Sequence, residues 1–185
     1  MKIKSFGFLT VATILFSACN ANANPLFDIY AGGTYGFGEY FLFSGDEHPH
    51  FSAQSYGAVL GMDIPVFRFE LEYNYINGDN LSMNFGFINA YLKMPTPIFK
   101  PYIGAGVGSS FSSKFTPDAA PEFDLEDVMG YQGMLGLTVD IPVFRFDIDL
   151  EGRVLYSPDI FEDVAQDITP DLLQYEGRVK LRYIF

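Results

Sequence analysis

Along residues 67–75 (FRFELEYNY) every odd position is aromatic or leucine, and every even position is Arg, Glu or Asn. The same alternation runs through 144–154, where Phe144, Phe146, Ile148, Leu150, Gly152 and Val154 alternate with Arg145, Asp147, Asp149, Glu151 and Arg153. It returns near the end, with Leu173, Tyr175, Gly177, Val179, Leu181, Tyr183 and Phe185 on one face and Gln174, Glu176, Arg178, Lys180 and Arg182 on the other. Successive side chains of a strand point to opposite sides, so each stretch predicts a strand with one apolar and one ionic face. A helix would scatter the charges around its circumference.

Weaker alternation extends the prediction to eight strands, at about Phe27–Phe37, Ser55–Asp63, Phe67–Tyr75, Ser82–Met94, Lys100–Ser110, Met129–Asp140, Phe144–Tyr156 and Leu172–Phe185. Each is near the ~9–11 residues with which a tilted strand crosses a bilayer. The fourth changes phase: Met83, Phe85 and Phe87 share one face, and Ile88, Ala90, Leu92 and Met94 share the other. A bulge near Phe87 is expected there. Tight turns at 63–66, 95–98 and 140–143 alternate with longer connections at 38–54, 76–81, 111–128 and 157–171. The heptapeptide DIPVFRF occurs twice, at 63–69 and 140–146, each time entering a strand after a GM-containing stretch. Duplication of an ancestral hairpin explains this; convergent reuse of one good turn is the competing account.

The ionic faces decide what the strands enclose. Across the three best strands stand six cations (Arg68, Arg145, Arg153, Arg178, Lys180, Arg182) and six anions (Glu70, Glu72, Asp147, Asp149, Glu151, Glu176). Equal numbers suit a confined interior in which charges neutralise one another, because an unpaired buried ion costs several kcal/mol. These twelve residues are the expected lumen ion network. Eight strands enclose a space that side chains just fill, so a stabilising plug is expected rather than an open pore.

Composition narrows the setting. Residues 1–23 carry a positive head (Lys2, Lys4), an apolar run from Phe6 to Phe16 and a small-residue site at Ala21-Asn22-Ala23. They are read as a secretory signal peptide, leaving a single domain over 24–185. Phe16-Ser17-Ala18-Cys19 also approximates a lipobox, with Phe16 where an aliphatic residue is usual. No other cysteine occurs, so neither a disulfide framework nor a thiol metal site is expected. The whole chain carries a formal charge of −12, and loss of the two leader lysines makes it more acidic, which argues against nucleic acid as a partner. No apolar run after the leader is long enough for a spanning helix. An exported chain with 17% aromatic residues is then either a soluble β protein or spans a membrane by strands.

The stretch Pro101-Tyr102-Ile103-Gly104-Ala105-Gly106-Val107-Gly108, the alternation of Phe67–Tyr75 and the end Leu181-Arg182-Tyr183-Ile184-Phe185 resemble the small eight-stranded outer-membrane β-barrels: the opacity-type porins and the membrane domain of outer-membrane protein A. The resemblance covers residues 24–185. It implies an all-β, eight-stranded antiparallel up-and-down transmembrane β-barrel in the outer membrane of a Gram-negative bacterium, with both termini and the short turns on the periplasmic side. It also implies that Tyr183 and Phe185 form the signal read by the barrel-assembly machinery.

Other candidate chemistry is thin. Gly104, Gly106 and Gly108 are spaced G-x-G-x-G with no helix after them, so they are expected to face the lumen and leave room for long ionic side chains rather than to hold a phosphate. His48 and His50 lie near Asp46, Glu47, Ser44 and Ser52, but a loop does not hold a nucleophile against a base. No enzymatic activity, metal or cofactor is expected. The loops carry acid: Asp118, Glu122, Asp124, Glu126 and Asp127 in one, Asp159, Glu162, Asp163, Asp167 and Asp171 in another. The expected role is structural or surface-interacting, adhesin-like, with outer-membrane lipid and lipopolysaccharide around the barrel and host or neighbouring-cell molecules as partners of the acidic loops. A narrow porin, or a lipid-modifying barrel enzyme using His48 or His50, are the alternatives.

Overall fold

A computed structural model describes residues 27–43, 50–78, 81–115, 123–125, 127–141, 144–158, 160 and 171–185. The expected leader, Cys19, His48 and most of the acidic loop residues lie outside the described residues. The strands are β1 (Asp28–Phe43), β2 (His50–Asp63), β3 (Phe67–Gly78), β4 (Leu81–Lys93), β5 (Phe99–Phe115), the short β6 (Phe123–Leu125), β7 (Met129–Asp140), β8 (Phe146–Ser157) and β9 (Asp171–Ile184). All pairings are antiparallel, in the order β4-β3-β2-β1-β9-β8-β7-β5, and a β4–β5 ladder closes the ring. β6 pairs only with the far end of β5 and stands outside the ring of eight. Closure leaves no ring strand with an open edge.

The expected short connections lie at one end, between β2 and β3, β4 and β5, and β7 and β8. The longer connections are shorter than the pattern implied, because the strands run on past their apolar stretches. β1 reaches Phe43, β5 reaches Phe115, and only two residues separate β3 from β4. Both ends of the barrel sequence lie at the turn end, where Asp28 pairs with Asp63 and Tyr30 with Ile184.

The expected bulge at Phe87 is absent. β4 alternates without a break from Leu81 to Lys93, with Met83, Phe85 and Phe87 buried on the same face as Asn89, Tyr91 and Lys93. The irregularity sits in the neighbour: Asn84 pairs with Ser112 and Phe85 with Ser110, which leaves Phe111 of β5 as the extra residue. The apparent phase change has another cause. The loop half of the lumen is apolar, so inward-facing Phe and Met look like lipid-facing residues.

The exterior reverses the usual arrangement of a water-soluble protein. Leu71, Ile88, Ile103, Leu135, Leu150 and Val179 are all exposed in a belt around the middle. Below them, at the turn end, stand Phe67, Phe99, Phe144, Phe146, Tyr183 and Phe185; above them, toward the loops, stand Tyr35, Tyr56, Tyr73, Tyr131, Tyr156 and Tyr175. An apolar band flanked by two aromatic girdles, short turns at one end and an even number of strands are the attributes of an outer-membrane barrel.

Candidate functional site: the filled lumen

Alternation delivers every second side chain of eight strands into one narrow space. Eleven of the twelve residues expected in the ion network are buried there. They form stacked tiers. Nearest the turns, Arg182 meets Asp149 at 2.9 Å, Asp147 at 2.9 Å and Asp63 at 3.3 Å, while Arg68 meets Asp149 at 3.1 Å and Asp63 at 3.3 Å. The guanidinium of Arg68 lies 5.2 Å from the Tyr102 ring centroid, and that of Arg182 lies 4.6 Å from Tyr30. Such cation–π contacts add attraction where water is excluded.

In the middle tier Lys180 pairs with Glu70 at 2.7 Å, and the hydroxyls of Tyr30 and Tyr91 donate to the same carboxylate at 2.7 and 2.9 Å. Arg178 bridges Glu72 and Glu151, and the Tyr102 hydroxyl donates to Glu151 at 2.9 Å. Above them Arg153 pairs with Glu176 at 2.8 Å, and its Nη1 donates to Gln132 at 3.2 Å. Multiple partners per ion are what make such burial tolerable. An apolar cap covers this tier toward the loops: Tyr40, Ala53, Ile76, Leu81, Met83, Phe85, Phe87, Leu155 and Leu172 pack together, joined by Ile160 from the β8–β9 connection. The Phe85 and Phe87 rings stack at 5.2 Å.

Arg145 is the exception. It is exposed in the turn before β8 and takes no part in the network. Two residues that the sequence pattern did not single out belong to it, Asp63 and Lys93, which pair with each other at the turn-side mouth. Asp63 stands where the second strand meets its turn, and it continues the inward phase of Val59 and Gly61. Lys93 was hidden by the supposed phase break in β4. With partly buried Asp63 included, the network holds six cations (Arg68, Lys93, Arg153, Arg178, Lys180, Arg182) against seven anions (Asp63, Glu70, Glu72, Asp147, Asp149, Glu151, Glu176), still close to balance.

Gly104, Gly106 and Gly108 do line the lumen, but the space they leave is taken by neighbours on β4 rather than by ionic side chains across the barrel. A Cβ on Gly104 would lie 2.3 Å from the Tyr91 ring, and one on Gly108 would lie 2.4 Å from the Phe87 ring. Tyr183 and Phe185 face outward with their rings 5.4 Å apart, and Phe146 stands 5.1 Å from Tyr183. His50 begins β2 at the loop end.

No family model matches the sequence, and no curated protein matches it. Solved structures do. The crystal structure of Neisserial surface protein A superimposes with a TM-score of 0.62 over 85% of this chain and 97% of that one, at 15% identity. The N-terminal β-barrel domain of Pseudomonas aeruginosa OprF gives 0.56 over 84% and 97%, at 13% identity. The fold is that of the small eight-stranded outer-membrane barrels. In this barrel the exterior meets acyl chains and the lumen holds the charge.

Proposed function

We propose that this outer-membrane barrel is a structural and surface-interacting protein of the cell envelope, closed to solutes and without a catalytic step. The observation that carries the reading is the lumen. An ionic plug with six cations and seven anions blocks the turn-side half, and packed Phe, Met, Leu and Ile side chains block the loop-side half. Water and ions lack a polar path through the second, and long side chains fill the first. What the barrel offers to partners is then its outside. The girdles and belt meet outer-membrane lipid and lipopolysaccharide, Tyr183 and Phe185 are presented to the barrel-assembly machinery, and the acidic connections are presented to host or neighbouring-cell molecules.

Single-channel recording in planar bilayers tests this. The native barrel is expected to insert without discrete, steady conductance steps. Stable ohmic steps at every insertion would mark it as a narrow porin and overturn the closed reading.

A further inference from the structure

Glycines on the two faces of the barrel wall stand in opposite circumstances. On the luminal face a Cβ at Gly32 would lie 2.4 Å from the Leu181 carbonyl oxygen, and one at Gly136 would lie 2.4 Å from the Tyr102 ring, so nothing larger fits. On the outer face a Cβ at Gly177 would meet nothing within 4 Å, and one at Gly152 would meet only the Leu135 carbonyl oxygen at 3.8 Å. Packing within the protein does not require glycine at either outer position, and glycine weakens a strand by roughly 0.5–1 kcal/mol relative to alanine. The two glycines stand directly opposite each other on β8 and β9, so their missing side chains make one hollow.

The hollow has walls. In the same cross-strand row Leu135 flanks Gly152 and Phe37 flanks Gly177, and both are exposed. Toward the loops stand Val154, Tyr175 and Phe41, the last two with their rings edge to face at 6.0 Å. Together they line a groove of about 660 Å³. Its floor is the paired backbone of β8 and β9, since the side chains of Arg153 and Glu176 turn into the lumen. Glu39 lines the loop-side end of the groove, opposite Tyr175. It is exposed on the outer face and has, among the described residues, no hydrogen-bond or ion-pair partner. Tyr175 belongs to the loop-end girdle, so this carboxylate stands at the level of lipid headgroups and the hollow lies beside the acyl region.

The occupant is then apolar along the groove and cationic at its loop-side end. A second copy of the chain does not fit, because a two-fold contact would set hollow against hollow and bring two Glu39 carboxylates together. A primary ammonium donates charge-assisted hydrogen bonds to a carboxylate, whereas a quaternary ammonium has no N–H to donate. We propose that the groove over Gly152 and Gly177 holds one acyl chain of an ethanolamine phospholipid in the loop-end leaflet, with Glu39 receiving the primary ammonium of its headgroup. The inference rests on the lipid-facing exterior of the proposed envelope barrel and adds to it one lipid class at one place.

The test uses the full barrel refolded into vesicles of phosphatidylethanolamine and phosphatidylcholine with the same acyl chains in equal amounts, released in uncharged detergent and weighed by native mass spectrometry. The native barrel is expected to retain phosphatidylethanolamine over phosphatidylcholine. Glu39→Gln is expected to lower that ratio about threefold, the effect of one exposed ion pair, while the number of retained lipids holds. Gly177→Leu fills the hollow and is expected to lose the retained lipid of both kinds. Both side chains point away from the packed lumen, so both variants are expected to keep the heat-modifiable folded band. An unchanged ratio in Glu39→Gln, or an unchanged lipid count in Gly177→Leu, overturns the site. So does an equal fall in the ratio for Asp28→Asn, exposed at the opposite end, which would mark bulk charge. A native dimer that Gly177→Leu converts to a monomer would give the groove to a second copy and overturn the lipid. A chain that failed to span the bilayer would carry no lipid in any variant, a different result from each of these.

Discussion

Arg68 and Arg145 have the same six neighbours in sequence and opposite fates. Arg68 has lost all contact with water and is held by Asp63, Asp149, the Thr138 hydroxyl at 3.0 Å and the rings of Tyr30, Tyr91 and Tyr102. Removing it strips Asp149 of one of two guanidinium partners inside a sealed space. Arg68→Ala is therefore expected to destabilise the barrel by about 3–5 kcal/mol, the cost of breaking a buried ion pair, whereas Arg145→Ala is expected to change stability by less than about 0.5 kcal/mol. Urea unfolding in lipid vesicles, followed by tryptic protection, reads both; similar losses for the two would show that both arginines share one environment. Alternation makes both residues look luminal. Nothing in a seven-residue stretch says where a ladder begins, so alternation alone assigns Arg145 to the lumen and does not separate Asp63 from its turn.

At the scale of the strand, the legible quantity was the face and the illegible one was what the face meets. In β3, β8 and β9 the ionic side is the inside throughout the lower and middle tiers, so period and polarity agree and the strands were read correctly. In β4 the inward face runs Leu81, Met83, Phe85, Phe87 and then Asn89, Tyr91, Lys93, passing from the apolar cap into the polar tiers. Polarity changes while the face does not, and a reading that equates apolar with lipid inserts a bulge to repair it. The distinction has an energetic signature. Phe85, fully buried in the cap, is expected to cost about 3–5 kcal/mol on replacement by alanine through loss of packing. If Phe85 faced lipid, its truncation would leave no cavity and the loss would fall well below that range; the same unfolding measurement separates the two.

At the scale of the molecule, the barrel is a protein turned inside out, with oily side chains outward and charge inward. Fold class, strand count, closure and the turn end follow from a period of two, an even count and tight Pro-containing turns, all of which are local in sequence. The two-storey lumen does not follow, because it depends on which residues of different strands meet at one height, and that is set by the stagger of the ladders. A plug made of two unlike materials also explains how an acidic chain tolerates buried charge: the cap keeps water from the ions on one side, and the aromatic girdle fixes the barrel against the membrane on the other.

The most direct measurement of this account is the collision accessibility of nitroxides attached one at a time at Leu135, which faces outward, and at its neighbour Met134, which faces the lumen, in the barrel reconstituted into a bilayer. The account predicts that the label at 135 is reached by oxygen dissolved in the lipid and not by a water-soluble nickel chelate, and that the label at 134 is reached by neither. Nickel access at 134 would show an open, hydrated lumen, and nickel access at 135 would show a surface that meets water; either result contradicts a sealed barrel in a membrane.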